Sequence, residues 1–536
     1  MATHQLYILA IDLGTTACKV ALVTTNGKVV ALETEPNRLY VLPGGGTEQD
    51  PGEWWMSIDR AVKRLLGQAA VPPGSIVAVG CTSQWSGTVP VDAAGQPLRR
   101  AIIWMDSRGE PFVRRITGGP VRVAGYGIDK IWQWVRKTAG IPAHSGKDPV
   151  AHILYLKHME PGVYRATYKF LEPKDYLNLR LTGKFAATYD SIALHWVTDN
   201  RNLSRVRYDP ALLRLAGLER EKLPDLRSPV DLLAPLRPEV AAEWGLPAGV
   251  PVVAGSPDVQ SAAIGSGATR DYQAHLYVGT SSWITCHLPF KRTDVVHNIA
   301  SLPAGIPGRY FAANEQETAG ACLNFLKDNL LFYPDGLGEA KSPENVFGIF
   351  EKAAETVPPG SGNVIFTPWL YGERTPVEDR FTRGGFYNLS LGTTRPHIIR
   401  AVFEGVAYNA RWLLGAVESF VRRRLDPIRI IGGGARSDLW CQIFADVLDR
   451  TIQRVEEPVA ANVRGAALIA AVGIGAMTFD EMPEHVTVAE TFRPNPENRK
   501  QYAELFREFV GFYRRNRAAH ARLNARRAGI GQKPFK

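Results

Sequence analysis

Two distant stretches of this 536-residue chain carry the same local pattern: an apolar strand runs into a Gly-Thr turn and straight out into a second strand. The first is YILAIDLGTTACKVALVT, followed by an Asn26-Gly27 turn and the strand KVVALETE. The second is AHLYVGTSSWITCHLPF, which starts at Ala274. Just before it, LPAGVPVVAGSPDVQSAAIGSG reads as a strand, a turn and a small-residue helix. The repeat predicts two α/β halves of comparable size with a boundary near residue 268. The chain is long enough for both to bury cores of their own.

The second half has further punctuation. DPIRIIGGGARSDLWCQIFADVL reads as a strand, a glycine turn and an amphipathic helix, which gathers backbone N–H groups where a phosphate or nucleotide could lie. TRPHIIRAVFEGVAYNARWLLGAVESF has the spacing of a long helix, and RGAALIAAVGIGA that of a small-residue helix able to pack closely.

Several function classes are disfavoured. No run of about 18 uncharged apolar residues occurs, and the N-terminus lacks the charged lead of a secretory signal. Five scattered cysteines without a Cys-x-x-Cys pair argue against a disulfide framework or a zinc site. A cytoplasmic protein is expected, with no membrane partner. The net charge of +10 owes much to the C-terminal segment, where Arg and Lys interleave with Phe506, Phe509 and Phe512 at helical spacing. That pattern predicts an amphipathic terminal helix with a solvated basic face rather than a nucleic-acid surface.

Phosphoryl transfer from ATP needs N–H donors for the phosphates, a carboxylate-held Mg²⁺ and a base for the acceptor hydroxyl. In IDLGTT, Asp12 ends an apolar strand, Gly14 allows a tight turn, and Thr15 and Thr16 offer donors. Gly279, Thr280 and Ser281 repeat the arrangement. Alone, such a string is equally a β-hairpin with turn chemistry; two of them, with GGGARS after the second, favour nucleotide binding.

In order along the chain, IDLGTT, TEQDPGEWW, TSQWSG, AIIWMDSR, EPKDYLNLRLTG, VVAGSPD, YVGTSSW, LYGERTP, FEGVAYNAR and GGGARSDLWCQIFADVL resemble the motif series of the FGGY family of carbohydrate kinases, most of all its xylulokinases. The resemblance implies an α/β fold of two duplicated actin-like, ribonuclease H-type domains with a cleft between them. Residues 1–268 would form the sugar-binding domain, 269–490 the ATP-binding domain, and 491–536 a basic helical tail. It further implies Asp258 as the general base, with Asp12 and Asp258 serving Mg²⁺, Asp12 through water. Gly14, Thr15, Thr16, Lys19, Gly279, Thr280 and Ser281 would line the ATP phosphates. Gly432, Gly433, Gly434, Ala435 and Ser437 would receive the adenosine. Gln84, Trp85, Ser86, Trp104, Asp106 and Asp258 would line the sugar, the small-molecule partner. A homodimer is allowed.

Two departures fall where the acceptor should bind. The family's xylulokinases typically have Met-His where this chain has Trp85-Ser86, and Asn where it has Val259, so the acceptor need not be xylulose. The stretch 121–150 is longer than the family pattern and is expected as a solvated loop, with Lys147 and Asp148 as further candidates near the sugar. His152 and His158 do not share a helical face and are assigned no metal. Two rivals stand beside the kinase: an actin-like nucleotide switch, which would need a partner-binding module, and a kinase-derived regulator without turnover.

Overall fold

The computed structural model describes residues 5–69, 71–123, 125–336 and 341–524. Among these, each Gly-Thr repeat is a β-hairpin at the centre of a mixed sheet. In the first half, Tyr7–Leu13 pairs antiparallel with Ala17–Thr24 and parallel with Ile76–Ser83. In the second, Ala274–Val278 pairs antiparallel with Ser282–Leu288 and parallel with Ile428–Ile431. The first sheet has six strands and the second eight. Tyr7–Leu13 and Ser282–Leu288 are buried almost throughout, as strands covered on both faces must be, which explains their near-continuous apolar sequence.

Between the sheets lie two small-residue helices, Asp258–Gly265 after the strand Pro251–Val253 and Ala461–Gly473 after the strand Ile452–Val455. They meet backbone to backbone. A Cβ at Gly265 would lie 1.8 Å from the Ala461 carbonyl oxygen, and one at Gly465 would lie 1.8 Å from that of Ser261. Ala262, Ala466, Ala467 and Ala470 join Ile8, Ala10 and Ile431 from the two sheets in one apolar cluster, so the halves share a core. Glycine at both positions permits this crossing, because any side chain would force the helices apart.

Two expectations change. The stretch 121–150 is not a solvated loop throughout: it contains a helix, Ile128–Thr138, whose Trp134 is fully buried and donates to the Trp196 carbonyl. The tail is not a separate unit beginning at 491. The strand Val488–Phe492 completes the second sheet, and the helix Arg499–Asn524 buries Tyr502, Leu505, Phe509 and Tyr513 on that half. Its aromatic face sets Phe509 against Trp369, ring centroids 5.1 Å apart and the planes tilted by 52°. Residues 525–536 of the expected basic tail lie outside the described residues. Among the described residues no helix is long and apolar enough to cross a membrane.

Candidate active site

Asp12 stands two residues before the turn of the first hairpin, almost wholly buried, and pairs across the ladder with Lys19. The Lys19 ammonium lies 3.3 Å from Asp12 Oδ2, while Oδ1 is buried without a partner. Lys19, expected on the phosphates, therefore holds Asp12 in place. An ionised oxygen left without a donor is costly unless something else occupies it, and this one suits a hydrated cation. Among the described residues no cluster of three or more acidic, His or Cys side chains could enclose a metal. Mg²⁺ suits such a site, since it commonly keeps several waters and uses one or two carboxylates with substrate phosphates. Asp12 would hold it, with Asp258 nearby.

Asp258 begins the central helix, where its Oδ1 accepts from the Val259 amide at 2.8 Å. Burial, and next the Asp12 carboxylate, push its pKa up to about 8. A carboxylate raised by burial and by a like charge is the pattern of a proton acceptor tuned near neutrality.

The turn residues differ in what they leave free. Gly14 closes its turn by donating to the Ala17 carbonyl at 3.0 Å. The Thr15 hydroxyl donates to Gln84 Oε1 at 3.1 Å and accepts from Trp104 Nε1 at 2.9 Å, and Gln84 in turn donates to Gln49. Thr15, Gln84 and Trp104 are thus joined in one network beneath the hairpin, which commits the Thr15 hydroxyl proton and the Trp104 indole N–H to the protein itself. Thr16 and Thr280 are exposed. Gly279 donates to the Ser281 carbonyl, and the Ser281 hydroxyl supports Glu315.

The glycine run after Ile428–Ile431 divides in the same way. Gly432 has φ +93° and, with Gly434, packs against Val278 at the end of the hairpin strand. A Cβ at Gly433 would meet nothing within 4 Å, so this position is the one in the run that opens to a ligand. Ala435 is buried, and Ser437 caps the helix Asp438–Leu448, accepting from the Trp440 amide and donating to Glu351. Both support the turn.

The structure gives three expected sugar residues other tasks. Asp106 accepts from the Thr47 and Arg108 amides and from the Arg108 guanidinium, which engages both carboxylate oxygens. Trp85 is buried in an apolar cluster with Ile102 and Phe170, against which Val259 also packs, and its indole donates to the Ser191 carbonyl at 2.9 Å. Ser86, at φ 64°, donates to the Lys147 carbonyl. Trp85 and Val259, the residue after Asp258, therefore belong to one apolar cluster.

A cross-cleft network was not expected from the sequence. Lys147 of the first half reaches Glu317 of the second at 3.4 Å, and Arg374 binds both Glu317 and Glu315. Burial would raise Glu317, but Arg374 and Lys147 outweigh it and hold its pKa down to about 2. Asp148 accepts from Ala143 and Trp196 and is raised by burial to about 6. The alternating carboxylates of Glu315 and Glu317 in an extended segment, together with Arg374 in GERTP, were the available signal.

Known proteins resemble the chain throughout. Residues 7–265 match the N-terminal domain of the FGGY family of carbohydrate kinases, and residues 274–474 its C-terminal domain. The chain is 29% identical over 521 residues to a xylulose kinase of Staphylococcus epidermidis, covering 96% of this chain and 98% of that one. It is 26% identical over 510 residues to a gluconokinase of Bacillus subtilis, covering 95% and 96%. The crystal structure of ligand-bound xylulose kinase from Lactobacillus acidophilus superposes with a TM-score of 0.83 at 24% identity, over 96% of this chain and 99% of that one. With both of its domains matched in order and the fold shared, the chain belongs to the FGGY family of carbohydrate kinases.

Proposed function

We propose that this kinase transfers the γ-phosphoryl group of ATP to a hydroxyl of a ketose such as xylulose, or of a related polyol, with Asp258 as the general base. One observation carries this function: Asp258, its pKa lifted to about 8, feels the charge of Asp12, whose own buried Oδ1 has no partner. The acceptor O–H gives its proton to Asp258 as its oxygen attacks phosphorus, and the bond from phosphorus to the β–γ bridging oxygen breaks to leave ADP. Mg²⁺ held by Asp12 would neutralise charge on the phosphates. Exposed Thr16 and Thr280, with the hairpin amides and Gly433, are the groups left free to meet the nucleotide.

The xylulose kinases among the relatives favour a ketose, and the gluconokinase puts gluconate among the acceptors to be tried. ADP release with Mg·ATP, measured against ketoses, aldoses, polyols and gluconate, names the acceptor. Stimulation by one sugar class that disappears in Asp258→Ala is expected; no stimulation by any of them would reject the kinase activity proposed.

A further inference from the structure

Two residues before its glycine, each hairpin projects a side chain paired across the ladder. In the first half this pair is Asp12 with Lys19, and in the second it is Tyr277 with Trp283. The duplicated position that presents a carboxylate in one half therefore presents a phenol in the other.

The phenol is held rigidly. Trp283 stacks on its ring at 4.0 Å with an interplanar angle of 8°. A Cβ at Gly279 would fall 2.3 Å from the Tyr277 hydroxyl, and one at Gly432 would fall 3.2 Å from its Cε2. The ring thus lies beneath both glycine segments expected to carry the nucleotide. Its hydroxyl has no hydrogen-bond partner among the described residues, and the ring is half-buried. Burial, and then the charges of Asp258 and Asp12, raise its pKa well above the ordinary tyrosine value, which keeps the proton on the oxygen. A half-buried tyrosine ordinarily pairs its hydroxyl; this one does not, and the carboxylates whose charges act on it are those of Asp258 and Asp12.

We propose that Tyr277 is a further catalytic residue, whose hydroxyl donates a hydrogen bond to the phosphoryl group during transfer. The inference rests on the kinase activity proposed above. As the acceptor oxygen bonds to phosphorus and the bridging oxygen departs with ADP, charge spreads over the three equatorial phosphoryl oxygens. A donor fixed in advance at that point strengthens as the charge develops, and it needs no reorganisation. Tyr277 keeps its own proton throughout, and the acceptor's proton goes to Asp258.

The test is Tyr277→Phe, which retains the ring and its stack on Trp283. The expected result is a fall in kcat of about thirtyfold, on the scale of losing one donor to developing charge, with the KM for sugar and the Kd for Mg·ADP changed by less than about threefold. Turnover within about twofold of the parent overturns the proposal, and so does a loss shared between kcat, Mg·ADP affinity and thermal midpoint, which marks a structural role. In the otherwise unaltered chain, 3-fluorotyrosine at position 277 supplies a second readout. Its fluorine resonance should shift when aluminium fluoride and sugar join Mg·ADP, and an unmoved resonance overturns the proposal. An active parent with an active Tyr277→Phe removes only Tyr277; a parent unresponsive to every sugar removes the kinase activity and Tyr277 with it.

Discussion

The two hairpins share the Gly-Thr turn, the antiparallel ladder and the parallel neighbour, yet their aligned threonines live differently. Thr15 is tied into the first half through Gln84 and Trp104, whereas Thr280 stands exposed at the tip of the second. Asp12 is paired with a lysine, and its counterpart Tyr277 with a tryptophan. Duplication supplied one backbone twice, and the side chains then diverged: the first hairpin buries a paired charge, and the second leaves the threonine at its tip exposed, a difference that fits the proposed division between chemistry and nucleotide binding. The same backbone turn thus does not predict the same chemistry.

The largest expected effect belongs to Asp258, the proposed base. Asp258→Asn should lower sugar-stimulated ADP release about 10³-fold, the usual range for losing a general base, with a steady-state assay as the check. Next comes the glycine run. Gly432→Ala should lose about 2 kcal/mol of stability in urea unfolding, because φ +93° and the Val278 carbonyl 2.5 Å from the new Cβ both oppose it. Gly433→Ala should leave unfolding unchanged.

The contrast between threonines gives the third test. Thr15→Val strands the Trp104 indole N–H and Gln84, and should cost about 1–3 kcal/mol in the same measurement. Thr280→Val should leave stability alone and raise the KM for ATP about tenfold, as loss of a bond to a charged group does. If both substitutions acted on ATP alone, the division of labour between hairpins would be wrong.

A further test is pH dependence. Asp258 has a folded pKa of about 8, above its unfolded value, so the folded state binds more protons. Its contribution is fully present below about pH 4, the ordinary carboxylate range, and is lost as pH rises towards 8. Thermal midpoints of the parent relative to Asp258→Asn should therefore decline across that window, and a flat difference would mean that Asp258 titrates normally.

Much of the architecture was legible because its signals are periodic or local. IDLGTT and YVGTSS mark the hairpins, the alternation around GGGARS marks strand and helix, and the alanine-rich helix forecasts close packing. At the candidate site the sequence pointed to Asp12 and the glycines through their turns, and to Asp258 only through the family resemblance. The site was not legible where a side chain's partner lies far off in sequence. Nothing near Asp106 announces that Arg108 and Thr47 engage its carboxylate, nothing near Thr15 announces Trp104, and nothing in 121–150 announces that Lys147 crosses to Glu317. Such pairings follow from the folded geometry and leave no spacing to read.

The Gly265–Gly465 crossing places the two halves in contact along a line that starts beside Asp258. Were the halves to rotate about that line, it would act as a fulcrum. Points close to it would travel little, and the hairpin tips at the rim of the cleft would travel far. Asp258 would then be the fixed mark of the machine, and whatever the hairpin tips hold, carried on the longer lever arm, would be brought to it.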